Sequence, residues 1–63
     1  MNIQIGDLYS RVGAENLLVL VTNIEYDDAT GQSLIFFNRV AKPWDMDLIF
    51  SHVDFFDYYE MVK

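Results

Sequence analysis

Two long apolar runs facing each other across a short polar turn limit this chain more than any other feature. The first run is Leu17-Leu18-Val19-Leu20-Val21-Thr22-Asn23-Ile24-Glu25-Tyr26, rich in β-branched residues. Its second half alternates, with Thr22, Ile24 and Tyr26 set against Asn23 and Glu25. An amphipathic helix would repeat its apolar residues at three- and four-residue spacing, so the run reads as a strand. Asp27-Asp28-Ala29-Thr30-Gly31-Gln32 follows. Asp side chains bond nearby backbone amides and Gly31 tolerates positive φ, so this segment reads as a turn. Ser33 to Ala41 is the second strand, and the two are expected to form an antiparallel hairpin. Lys42-Pro43 ends it, because Pro lacks a ladder donor and holds Lys42 extended.

Both strands carry apolar residues on both alternating faces, at Leu17–Val21 and at Leu34–Phe37. A small sheet with one solvated face needs only one such side. The second side is therefore expected to be covered by the C-terminal segment, or by another copy of the chain in a homodimer.

Size narrows the options further. At 63 residues there is room for one core and one domain, spanning 1–63. With 52% hydrophobic and 22% charged residues, the composition is not that of a disordered chain. No Cys is present, which excludes disulfides and a Cys-ligated zinc. Ten aromatic residues then become the main source of core area, and folding is expected to need no metal or cofactor.

The remaining elements are shorter. Gly6-Asp7 is a turn pair that opens a strand from Leu8 to Val12, which Gly13-Ala14-Glu15-Asn16 interrupts. Trp44, Met46 and Leu48 alternate with Asp45 and Asp47, which predicts a further strand beginning at Trp44. Ser51 or Asp54 is placed to cap a helical turn through Phe55–Tyr58, with Tyr59–Lys63 returning as a closing strand. A single helix from Val53 to Val62 is the alternative, since Phe55, Phe56, Tyr59 and Val62 share one helical face. The expected fold is mainly β with a short C-terminal helix, a small, strongly bent antiparallel sheet or SH3-like barrel whose closure would hide sheet edges.

The layout resembles small phage and bacterial SH3-like domains that start with a Gly-Asp-x-Tyr element, here Gly6-Asp7-Leu8-Tyr9 followed by Arg11. Such domains also carry a Thr-Gly hairpin before an apolar strand, here Thr30-Gly31-Gln32-Ser33-Leu34-Ile35-Phe36-Phe37. They close on a Phe, an acid and a Val, matched by Phe55 or Phe56 with Glu60 and Val62. The Trp-Val-Arg-Pro pattern of some of these domains is absent; Lys42-Pro43-Trp44 has another order. No catalytic residue carries over. A short acidic chain of this kind also resembles phage early proteins.

Candidate chemistry is sparse. His52 is the single imidazole, and its neighbour Ser51 would point to the opposite face of a strand, so no nucleophile pair forms. Asp27–Ser33 is too short and too poor in oxygen ligands for an EF-hand loop. Gly6, Gly13 and Gly31 make no phosphate-binding loop. Arg11, Arg39, Lys42 and Lys63 are too few and dispersed for the basic patch that nucleic acid needs. The chain is thus not expected to be an enzyme or to bind nucleic acid directly.

The charge balance points to proteins instead. Ten acids against four bases give a formal charge of -6. Asp45, Asp47, Asp54, Asp57 and Glu60 all fall between Trp44 and Glu60, a stretch without Lys or Arg. The expected contact set is Trp44, Asp45, Asp47, Asp54, Asp57, Tyr58 and Glu60, in which large aromatics supply area and carboxylates steer a basic partner surface. The function expected is an acidic protein-binding module, with a phage-encoded inhibitor of a host enzyme or defence system as its concrete form. A DNA mimic and an accessory subunit are the alternatives. The first residues lack the basic and apolar regions of a signal peptide, and the longest apolar run, Leu17–Val21, is far short of the ~20 residues that span a bilayer. A cytoplasmic protein without membrane contact is expected, in host cytoplasm if phage-encoded.

Overall fold

A computed structural model describes residues 3–62. The elements in chain order are β1 (Leu8–Arg11), β2 (Ala14–Asp27), β3 (Gln32–Arg39), β4 (Leu48–Ser51), α1 (His52–Tyr58) and β5 (Tyr59–Met61). The strands form one antiparallel sheet in the order β4-β3-β2-β1-β5. The fold is therefore mainly β with a short C-terminal helix.

The hairpin forms as the sequence implies. Asp27 pairs with Gln32 at its tip, and the Asp27 carboxylate accepts from the Ala29 amide at 3.0 Å and the Thr30 hydroxyl at 3.1 Å. Gly31 closes the loop at φ 72°, and its N–H donates to the Asp27 carbonyl at 2.8 Å. Below the tip, the β2–β3 register shifts between Val21 and Asn23, leaving Thr22 as an extra residue. The bulge resets the alternation, so that Val21 and Ile24 face the same side, opposite Phe37 and Ile35.

That side holds the core: Tyr9, Val19, Val21, Ile35, Phe37, Phe55 and Tyr59 are buried, with Ile24, Phe50 and Phe56 packed against them. Helix α1 has seven residues, too short to persist alone. Ser51 caps it, its Oγ accepting from the Asp54 amide at 3.2 Å. Phe55 then anchors it from inside. The ring meets Tyr9 edge-on at 5.0 Å and Phe37 at 5.1 Å, and stacks on Tyr59 at 5.1 Å.

β4 runs directly into α1, and α1 directly into β5. In a flat five-stranded sheet the two edge strands would lie roughly 19 Å apart. A seven-residue helix covers only about 10 Å. The sheet therefore curves, and Phe50 of β4 reaches the rings of Tyr58 and Tyr59 at 5.9 and 6.2 Å.

The barrel form, the strand from Trp44, the single-helix alternative and the end of the closing strand need correction. The sheet is not closed into a barrel, because β4 and β5 stay its two edges with α1 inserted between them. The alternation from Trp44 does not make a strand: residues 40–47 are turns and loop, and β4 starts at Leu48. Side-chain hydrogen bonds capture this loop before a ladder can. The helix stops at Tyr58 and does not run to Val62, because Tyr59–Met61 pairs with Arg11, Ser10 and Tyr9. The expected closing strand is shorter than Tyr59–Lys63, and Lys63 lies outside the described residues.

Candidate functional site

Asn38 organises the loop between β3 and β4. It sits on the face away from α1, opposite Leu20. Its Nδ2 has two hydrogens for three acceptors, one of them shared: the Asp45 carbonyl at 2.8 Å, the Asp47 carboxylate at 3.1 Å and the Pro43 carbonyl at 3.3 Å. The second Asp47 oxygen accepts from the Thr22 hydroxyl at 2.7 Å, so the bulge residue of β2 holds the far end of the loop. Asp45 N–H closes a turn on the Lys42 carbonyl at 3.1 Å. What this framework presents is apolar: Trp44 is 77% and Met46 91% exposed. Two large side chains thus stand in solvent, alternating with two carboxylates, on a loop held by five hydrogen bonds, two of them to the Asp47 side chain.

The seven residues expected to meet a partner fall in three places. Trp44, Asp45 and Asp47 belong to this loop. Asp54, Asp57 and Tyr58 belong to α1, which covers the other face of the sheet. Glu60 lies on β5, paired with Ser10 at the opposite edge from β4. The structure brings together the first three and, separately, the second three. Tyr58 has a structural partner as well, since the Arg11 guanidinium lies 5.2 Å from its ring centre and 5.8 Å from that of Tyr59.

A groove that sequence reasoning did not anticipate opens on the helix-side face, beyond the area that α1 covers. Its volume is about 440 Å³. Its lining includes the apolar Leu17, Val19, Leu48 and Phe50 together with Arg11 and Arg39. Both arginines of the chain are here, and no Asp or Glu lines the groove. Alternation carried the signal: Arg39 follows the core residue Phe37 by two, and Arg11 follows Tyr9 by two. Each arginine is therefore an inward position of its strand.

The other singled-out groups are structural. His52 packs edge-on against Phe56 at 4.9 Å. The Asp27 carboxylate is occupied by its own turn. Tyr9 is 1% exposed, and its hydroxyl has no hydrogen-bond partner among the described residues. Burial pushes its pKa above the usual tyrosine range, and the nearby Asp7 carboxylate adds to the shift. Among the described residues no group of three or more His, Cys, Asp and Glu side chains could hold a metal ion. No helix of the described residues is long and apolar enough to cross a membrane. Compared with family models, with curated proteins and with solved structures, the chain matches none.

Proposed function

We propose that the chain is a non-catalytic, acidic protein-binding module that works by occupying a basic surface of its partner. The observation that carries this reading is the pinned loop Trp44-Asp45-Met46-Asp47, in which the exposed Trp44 and Met46 alternate with two carboxylates. Hot spots favour large side chains that lose little freedom on binding, and a loop fixed beforehand lowers that ordering cost. The flanking carboxylates raise the encounter rate with a basic surface. An inhibitor of a host enzyme or defence protein, phage-encoded, is the concrete form this reading takes.

A DNA mimic would call for carboxylates ranged along one surface. The division of the acids between the loop, α1 and β5 favours the protein-binding reading. The SH3-like kinship draws support from the curved sheet and from the helical turn that links its two edges. Self-association is a second reading with its own observation. On the face away from α1, Leu20 and Leu8 are opposite each other, as are Phe36 and Ile49, and Leu8, Leu20 and Ile49 are exposed.

The deciding experiment is affinity capture from host lysate with the wild-type chain and with Trp44→Ala combined with Met46→Ala, each at low and high salt. The double variant is expected to fold normally and to lose the specifically retained protein. Undiminished retention of that protein would overturn the reading.

A further inference from the structure

We infer that the groove beside α1 is a binding site for a small monoanionic amphiphile, a carboxylate carrying an apolar tail. Its volume of about 440 Å³ falls within the roughly 300–1,000 Å³ of small-molecule sites. Leu17, Val19, Leu48 and Phe50 contribute apolar lining, and the cationic groups are Arg11 and Arg39. Ligand sites are built this way, with a mostly apolar lining and a few polar groups that fix orientation.

Charge chooses the head group. A guanidinium presents planar N–H donors that match a carboxylate. The Arg11 guanidinium lies over the rings of Tyr58 and Tyr59, and such ring contacts do not consume its N–H donors. Arg39 stands opposite Val19 across the β2–β3 ladder. The two arginines therefore come from either side of the β2 residues Leu17 and Val19, one from β1 and one from β3.

Charge also decides against larger anions. The chain as a whole carries -6, and without these two arginines it would carry -8. Screening confines the attraction of the groove to about 8 Å at physiological salt. A polyphosphate, a nucleic acid or an acidic protein would extend beyond that range into the carboxylates of the surrounding surface. A single carboxylate with a hydrocarbon tail meets the arginines and the apolar lining and little else. This site is distinct from the Trp44 loop, and its test does not depend on the protein-binding reading.

The probe is decanoate, titrated into the wild-type chain by calorimetry and by amide chemical-shift mapping. Decylammonium has the same tail with the opposite charge, and decanol has it with none. Decanoate is expected to bind and to shift Leu17, Val19, Arg39 and Leu48, with decylammonium binding at least about tenfold more weakly. Arg39→Gln is expected to weaken decanoate about tenfold while leaving the thermal melt in place. The head-group comparison on the wild-type chain decides the matter if Arg11→Gln or Arg39→Gln should fail to fold. Equal binding of decylammonium, shifts confined to Leu8 and Leu20 on the other face, or no binding up to about 1 mM decanoate would overturn the inference. So would tighter binding of a short acidic peptide than of decanoate.

Discussion

Phe55→Ala tests whether one ring holds α1, and with it both sheet edges, in place. The side chain is fully buried and is the one buried residue of the helix. Truncating a buried Phe to Ala costs about 3–5 kcal/mol, from lost transfer free energy and the cavity left behind. Its contacts argue for the upper part of that range, because the ring meets Tyr9, Phe37, Phe56 and Tyr59 at centroid distances of 5.0 to 5.4 Å. Each such pair contributes about 0.5–1.5 kcal/mol beyond buried area. Against this stands a total stability of about 3–9 kcal/mol for a chain of 63 residues. The variant is therefore expected to lose most of its stability and to be partly unfolded in water. Phe55→Leu keeps an apolar group of comparable bulk and is expected to lose about 1–2 kcal/mol. Urea denaturation, followed by far-ultraviolet circular dichroism and by near-ultraviolet aromatic signal, measures both. A loss below about 1.5 kcal/mol for Phe55→Ala, with the same denaturant slope, would refute the anchoring role.

Tyr9→Phe removes a buried hydroxyl that has no partner among the described residues and is expected to stabilise the domain by about 1 kcal/mol at neutral pH. Because burial raises the folded-state pKa of Tyr9, its neutral form is favoured in the native state; that contribution is complete below the unfolded-state pKa of about 10 and is lost as pH rises from there through the higher folded value. Melts above about pH 10 should fall less steeply in the Phe variant than in wild type, and parallel curves would count against this account. Gly31→Ala forces a Cβ into a left-handed backbone and should cost about 1–2 kcal/mol in urea denaturation, with no loss expected only if φ there is not positive. Asn38→Ala should release residues 43–47, seen as faster amide exchange at Asp45 and weaker partner capture with little change in melting temperature; unchanged exchange would show the loop is held by other means.

The elements legible in the sequence are those fixed by neighbours along the chain. The β2–β3 hairpin was legible because Asp27, Thr30 and Gly31 satisfy one another within a few residues. The Ser51 cap was legible for the same reason. The loop at Trp44–Asp47 has the period of a strand, and alternation alone cannot tell a ladder from a loop held by side chains. Its actual holders, Asn38 and Thr22, are 9 and 25 residues away from Asp47. Thr22 is available for this because it occupies the bulge, and a single sequence gives no sign of a bulge within an apolar run. The groove depends on the register of β2 with β3 and on how far α1 extends. Its arginines became recognisable only when strand parity could be assigned. Barrel closure is equally non-local, since it depends on whether β4 and β5 meet.

The pairing of β1 with β5 gives the folding reaction an order. Tyr9 and Met61 are neighbours in space but 52 positions apart in sequence (61 minus 9), whereas Asp27 and Gln32 are 5 apart (32 minus 27). Contacts between distant residues carry the larger loop-closure entropy and form late. The central hairpin can assemble on its own within microseconds. Docking of β5 is coupled to the packing of α1 through Phe55, because no residue separates Tyr58 from Tyr59. Until β5 docks, the β1 edge is uncovered. In a crowded cell that edge is the one through which two chains would pair with each other before either had finished folding.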